Sequence, residues 1–389
     1  APLGEHLYGA RHFPLSMVRI GVLKEPTDRR LTVLSPSGVE RLKEKAVILV
    51  QRDAGRSSGF TNDAYEAAGA TLVDSKEELM AGSDIILSYG HHHTDGPLSG
   101  EKTFIGIFNF LWEPQNVAHY QHPGFTVHSL DLIPRSTLAQ AMDVLSSVGS
   151  ISGYQAVLLA AERSLATVPM ITSAGGTLRP AKFLVMGAGV AGLQAIATAR
   201  RLGAVVKAYD VRTASKEEVE SLGATFIEVE GSVDDRSAGG YATEQTEEFL
   251  QRVRDRIHLE ASQADVIITT ARVPGRKAPL LITEEMVMSM KPGAVIVDIA
   301  AATGGNCALT EPNKTVMRNE VTILGPTSIE SSCAHSTSFL LSNNYVAFIE
   351  YLLEHQEQIA DDPILGSTLV VKDGESVNQR VLALHGAAN

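Results

Sequence analysis

Residues 187–192 read Gly187-Ala188-Gly189-Val190-Ala191-Gly192, and their place in the chain constrains the fold more than any other feature. They follow the apolar run FLVM (183–186) and open the helix-like run LQAIATARRLGA (193–204). A strand that turns through such a loop into a helix belongs to a βαβ unit. The first glycine permits the tight turn, the second lets backbone approach a pyrophosphate, and the third lets the helix pack closely on the strand. The helix N-terminus adds amide donors and partial positive charge. Asp210 closes the next apolar run, VVKAYD (205–210), 18 residues after Gly192. A carboxylate there accepts hydrogen bonds from the adenosine ribose hydroxyls and repels a 2′-phosphate, which favours NAD(H) over NADP(H). Val211 and Arg212 follow directly, and Arg212 is the alternative reading, since a nearby arginine could receive a 2′-phosphate.

Around this unit, short β-branched runs alternate with amphipathic stretches, the pattern of parallel strands joined by helices. The class is α/β. Expected strands lie at 18–23, 47–50, 84–88, 104–110 and 125–129, with helices near 37–45, 62–69 and 114–121. A second set of six strands is expected at 183–186, 205–210, 224–229, 266–271, 294–300 and 321–325. Between the sets, 137–167 reads as one long helix, and 337–355 as a second that returns the chain to the first domain. The expectation is two Rossmann-like, doubly wound parallel-sheet domains joined by two long helices, with a cleft between. Residues 17–150 plus 331–389 form a discontinuous first domain, and 151–330 the NAD(H)-binding domain. Residues 1–16 read as an N-terminal extension or a vector-derived remnant, with a transit-peptide stub less favoured.

At 44% hydrophobic and 20% charged residues, the composition excludes disordered, collagen-like and coiled-coil chains. A net charge of −12 argues against nucleic-acid partners. Two cysteines, Cys307 and Cys333, are too few for a disulfide framework and fit a reducing compartment. No apolar stretch reads as long enough to span a bilayer, so direct membrane insertion is not expected. The run His91-His92-His93 invites a metal reading, but adjacent imidazoles diverge and no second ligand cluster follows, so a solvated loop is expected.

The segment RPAKFLVMGAGVAGLQAIATARRLGAVVKAYDVR (179–212) resembles the NAD(H)-binding alpha subunit of proton-translocating NAD(P) transhydrogenases, in the family that also holds alanine dehydrogenase. PRSTLAQAMDVLSS (134–147), SAGGYATE (237–244), TTARVPGRKAPLLITEEMV (269–287), GGNCALTEP (304–312) and FLWEPQN (110–116) are similar to the transhydrogenase branch. Carried over position by position, the resemblance implies that Arg135, Gln140, Asp143 and Ser146 hold the nicotinamide and its ribose. It also implies that Tyr241 belongs to a mobile loop that closes over bound nucleotide. The residue types suit such contacts, with an arginine for an amide carbonyl or phosphate, and a carboxylate and an amide for hydroxyls and a carboxamide.

The resemblance further implies hydride transfer between NADH and NADP⁺ held on a partner component, association with membrane-spanning components, a homodimer, and a cytoplasmic or matrix-side location peripheral to a membrane complex. Such a transfer moves no proton between substrates, so it needs positioning rather than an acid or base. Alanine dehydrogenase, by contrast, places a lysine after the strand equivalent to 84–88 and a histidine near the end of the next. Here those regions read DIILSYGHHHTDG and FIGIFNFLWEP, with Ser88 and Asn109 near the positions concerned. A stand-alone amino-acid dehydrogenase using Arg135 or Arg30, and an NAD(H)-binding protein without turnover, are the alternatives. The segment TSIESSCAHSTS (327–338) lacks the proline and arginine usual in the family.

Overall fold

Strands and helices form where side-chain pattern and caps agree. The computed structural model describes residues 17–92, 98, 100–229, 246–359 and 361–386. The chain divides into two units, one of Ala1–Val148 with Cys333–Asn389 and one of Gly149–Ser332. In the first, β1 (Val18–Val22), β2 (Ala46–Gln51), β3 (Thr71–Val73), β4 (Ile85–Leu87), β5 (Lys102–Gly106) and β6 (Phe125–Ser129) alternate with α1 (Pro36–Leu42), α2 (Asn62–Ala68) and α3 (Lys76–Gly82). Each helix starts on a hydroxyl cap, Ser35 to Gly38 N, Thr61 to Ala64 N and Ser75 to Glu78 N. Helix α3 was not among the expected elements, although Ser75 and Glu78 carry the S-x-x-E signature of a capping box.

The strand expected over 104–110 stops at Gly106. Asn109 takes a left-handed conformation at φ +53°, and the Phe108 and Asn109 amides turn to donate to the Asp131 carboxylate at 3.2 and 3.4 Å. Residues Pro114–Tyr120 form a 3-10 helix rather than an α-helix. Helix α4 (Val144–Arg163) starts seven residues later than the expected 137, because 134–143 form a loop with a 3-10 turn at Gln140–Met142. Among the described residues α4 is long and apolar enough, by length and composition, to cross a membrane, which corrects the expectation that no stretch would be. Its Ala156, Val157 and Ala160 belong to the core of the second unit.

The second unit opens with an exposed hairpin, β7 (Ile171–Ser173) and β8 (Gly176–Leu178), and continues with β9 (Lys182–Met186), α5 (Val190–Arg201), β10 (Val205–Tyr209), α6 (Ser215–Ser221) and β11 (Thr225–Phe226). After α7 (Glu247–Gln263) come β12 (Val266–Thr269), α8 (Glu284–Ser289), β13 (Val295–Asp298), β14 (Thr315–Arg318) and β15 (Val321–Leu324). The sheet order is β11-β10-β9-β12-β13-β15-β14, parallel except at the β14 edge. Among the described residues this sheet thus has seven strands where six were expected. On one face Val185, Ile268 and Val297 pack with Ala195, Ile196 and Ala199 of α5; on the other Leu184, Ile267 and Ile296 pack with Ile257 and Met286 of α7 and α8. Both faces being covered is the doubly wound arrangement. The order reverses at β9, so the loop after β9 lies at the switch point where α/β sheets bind ligands.

Helix α9 (Ala334–His355), α10 (Leu365–Thr368), β16 (Leu369–Lys372), β17 (Glu375–Ser376) and α11 (Gln379–Gly386) complete the first unit. Its eight-stranded sheet runs β17-β16-β6-β5-β4-β1-β2-β3, parallel from β6 to β3 with β16 antiparallel on β6. Ile20, Ile48 and Ile85 pack with Tyr345, Phe348 and Ile349 of α9.

Candidate nucleotide-binding site

The three motif glycines of the second unit meet three different surroundings. Gly187 turns the chain at φ +101°, and a Cβ there would fall 2.5 Å from Thr270 Oγ1. At Gly192 a Cβ would fall 1.8 Å from the Gly187 carbonyl oxygen, so only glycine lets α5 start this close to the end of β9. A Cβ on Gly189 would meet nothing within 4 Å. Gly189 also caps α5 with no side-chain hydrogen bond. An open cradle facing the uncapped first turn of a helix fits a pyrophosphate, whose oxygens take amide hydrogen bonds and the helix field.

Asp210 stands just past β10. Its Oδ2 accepts from Ala188 N at 2.7 Å, which ties the strand end to the loop, and its Oδ1 accepts from Arg212 N at 2.8 Å. The Arg212 guanidinium spans both oxygens, Nε to Oδ1 at 3.0 Å and Nη2 to Oδ2 at 3.1 Å. This hydrogen bond raises the already high pKa of Arg212. Burial, reinforced by the Asp210 charge, pushes the Tyr209 hydroxyl up to about 12. Val211 is half-exposed beside them.

Four residues that the sequence did not single out fix this loop. Thr270 Oγ1 donates to Gly187 O at 3.2 Å. The wholly buried Asn306 accepts from Ala271 N at 3.0 Å and donates to Ala271 O and Pro279 O at 2.9 and 2.8 Å. Asp298, also wholly buried, receives Asn306 N, Cys307 N and Thr310 Oγ1 on Oδ2 at 2.7, 3.0 and 2.7 Å. Gly153 of α4 lies against the first turn of α5, where a Cβ would come 2.0 Å from the Ala191 carbonyl oxygen. The quoted segments TTARVPG and GGNCALTEP contain Thr270 and Asn306, but nothing local announces Asp298 or Gly153 as their partners in holding the loop.

Arg135, Gln140, Asp143 and Ser146 lie in the first unit. The loop is anchored by buried Ala139 and Met142 and by Asn344 of α9, whose Nδ2 donates to Ala141 O at 2.8 Å. That anchoring leaves Arg135 and Gln140 exposed. Asp143 caps α4, accepting from Ser146 N at 3.0 Å and from Ser146 Oγ at 2.5 Å. Asp143→Ala should therefore cost ~1 kcal/mol of cap energy, seen as a lower midpoint of thermal unfolding that Asp143→Asn largely restores. Tyr241 and the segment around it lie outside the described residues.

His91 and His92 do not lie on the solvated loop expected from the sequence of the histidine run. His91 donates Nε2–H to Phe108 O at 2.8 Å and packs with Phe108, Phe110 and Tyr120. His92 Nε2 lies 3.3 Å from Oε1 of buried Glu25. Apolar neighbours and one carboxylate gather these rings because the loop folds back over the ends of β4 and β5; His93 lies outside the described residues. Among the described residues no group of three His, Cys, Asp or Glu side chains converges as a metal site.

Residues 21–152 match the alanine dehydrogenase/PNT N-terminal domain and 156–379 the alanine dehydrogenase/PNT C-terminal domain. The chain belongs to the alanine dehydrogenase/PNT family. A relative in this family, the first part of the NAD(P) transhydrogenase alpha subunit of Rhodospirillum rubrum, is 38% identical over 377 residues, covering 93% of this chain and 98% of the relative. The crystal structure of transhydrogenase from Sinorhizobium meliloti superposes with a TM-score of 0.83 at 36% identity, covering 92% of this chain and 100% of the other. An L-alanine dehydrogenase structure shares the fold, with a TM-score of 0.79 at 21% identity over 96% of this chain and 100% of that one. The family fold thus places the glycine loop, Asp210 and the Asp298–Asn306 scaffold on one Rossmann-like sheet.

Proposed function

We propose that this chain binds NAD(H) and passes hydride between NADH and NADP⁺ held on a partner component of a proton-translocating transhydrogenase. The open cradle at Gly189 beside Asp210 carries the nucleotide half of this reading. Likeness to the first part of a transhydrogenase alpha subunit, over nearly the whole length of that part, supports the rest. Gly187, Ala188, Gly189, Val190 and Gly192 would hold the pyrophosphate, and Asp210 the adenosine ribose, with Val211 and Arg212 flanking it at the adenosine end. Arg135, Gln140, Asp143, Ser146 and Tyr241 would orient the nicotinamide end. Bound NADH supplies the hydride; the protein's work is alignment and exclusion of water, with no proton to move.

The surroundings of Ser88 and Asn109 favour this over a stand-alone amino-acid dehydrogenase, which needs proton-shuttling groups. Ser88 Oγ is committed to Gly90 O at 2.8 Å and its carbonyl to the Tyr345 hydroxyl at 2.7 Å. Asn109 turns the chain, and neither residue is a base. By the same reading the chain works as a homodimer, peripheral to a membrane complex on its cytoplasmic or matrix side. Mixing it with a heterologous NADP(H)-binding component should give hydride transfer from NADPH to an NAD⁺ analogue. Absence of transfer with nucleotide demonstrably bound would overturn the reading, and NADH oxidation with pyruvate and ammonia, without a partner, would establish the dehydrogenase.

A further inference from the structure

Every acceptor position of Asp210 is already filled by the protein. A carboxylate offers about four lone-pair sites. Here Oδ1 takes Arg212 N and Arg212 Nε at 2.8 and 3.0 Å, and Oδ2 takes Ala188 N and Arg212 Nη2 at 2.7 and 3.1 Å. The Asp210 side chain is 8% exposed, so water cannot crowd in to offer further geometry, whereas that of Arg212 is 36% exposed. Two ribose hydroxyls need two acceptor sites. The Ala188 and Arg212 amides are fixed by the backbone, and only the two guanidinium contacts can leave without moving the loop or the strand end.

We propose that Arg212 is a displaceable clamp that sets nucleotide choice: NAD(H) binds by exchanging its ribose hydroxyls for the Arg212 guanidinium on Asp210, and the released guanidinium is what a 2′-phosphate meets. The inference rests on the reading of this loop as a dinucleotide site. The clamp opposes NADH, which must break it, and helps NADPH, which gains a cation. Arg212 acts on NADH through Asp210 and is a positioning residue for that ligand.

The two nucleotides should therefore respond to Arg212→Ala in opposite directions. Affinities of the full chain for NADH, NADPH and ADP-ribose, measured by titration calorimetry, test this. NADH and ADP-ribose should bind about two- to fivefold more tightly, the scale of a half-exposed ion pair, while NADPH weakens by at least as much. A parallel loss of both nucleotides, or no change in either, would overturn the clamp. Should Arg212→Ala not fold, the unmodified chain still decides it. The Arg212 Nε–H resonance, held by the carboxylate, should shift to its free position when NADH is added, and a resonance that stays put would overturn the inference. If the unmodified chain binds no NADH, the nucleotide reading itself has failed; if it binds NADH with the clamp unmoved, only the inference has.

Discussion

Gly192→Ala should weaken NADH binding by at least about 100-fold, the loss that goes with two hydrogen bonds to a charged phosphate at ~1.5 kcal/mol or more each. The added Cβ would sit 1.8 Å from the Gly187 carbonyl, with a backbone atom rather than a flexible side chain in its way. Helix α5 must then move off the end of β9, taking its N-terminal amides away from the cradle at Gly189. Overpacking of this kind costs about 1–3 kcal/mol of stability, partly offset because alanine is the better helix former. Nucleotide affinity should thus fall far more than the unfolding midpoint. Gly153→Ala presses on the same turn from α4 and should weaken NADH in the same direction. Gly149→Ala, one turn earlier, would place its Cβ 3.8 to 3.9 Å from its nearest neighbours, ordinary contact distances, and should bind within about twofold of the unmodified chain. Equal behaviour of Gly149→Ala and Gly153→Ala would show that the Ala191 contact does not position the loop.

Asp210→Ala should lower NADH affinity between about tenfold and about 100-fold, one or two hydrogen bonds to a charged acceptor, and raise NADPH affinity. The substitution removes the hydroxyl acceptor and the negative charge together and leaves Arg212 unpaired beside the site. It also strips the acceptor from Ala188 N, 2.7 Å away in the unmodified protein. Asp210→Asn separates these effects, because its amide oxygen can keep Ala188 N while the charge is gone; NADPH should gain and NADH should lose less than with alanine. The measurement is the ratio of NADH to NADPH dissociation constants, and a ratio unchanged by both substitutions would refute the role of Asp210 in discrimination.

Local chemistry made much of the glycine loop's shape legible in advance. A strand, three glycines at fixed spacing, a helix and a terminal aspartate each depend on neighbours within about two turns or one strand of chain, so the turn from Gly187 to Gly192 and the place of Asp210 at the end of the next strand followed from residue types alone. The long helices were visible through their apolar spacing, yet the start of α4 was not. It depends on Asp143 choosing the Ser146 amide and on Asn344, 203 residues away, holding the Ala141 carbonyl. Short edge strands such as β14 and β17 carry too little apolar pattern to announce themselves and exist through their pairing partners.

What the tertiary structure alone decided is how the loop is held. Thr270 reaches Gly187 across 83 residues, Asn306 reaches Ala271 across 35, and Asp298 is enclosed by amides of the chain that follows β13. His91 and His92 read as a polar run, but the turn over β4 and β5 gives them aromatic and carboxylate neighbours that no spacing in the run encodes. A motif can specify what backbone shape a ligand needs, because that shape is set by φ and ψ over a few residues. The rigidity of the shape comes from buried hydrogen bonds and close backbone contacts between distant segments, and those exist only once the sheet has brought the segments together.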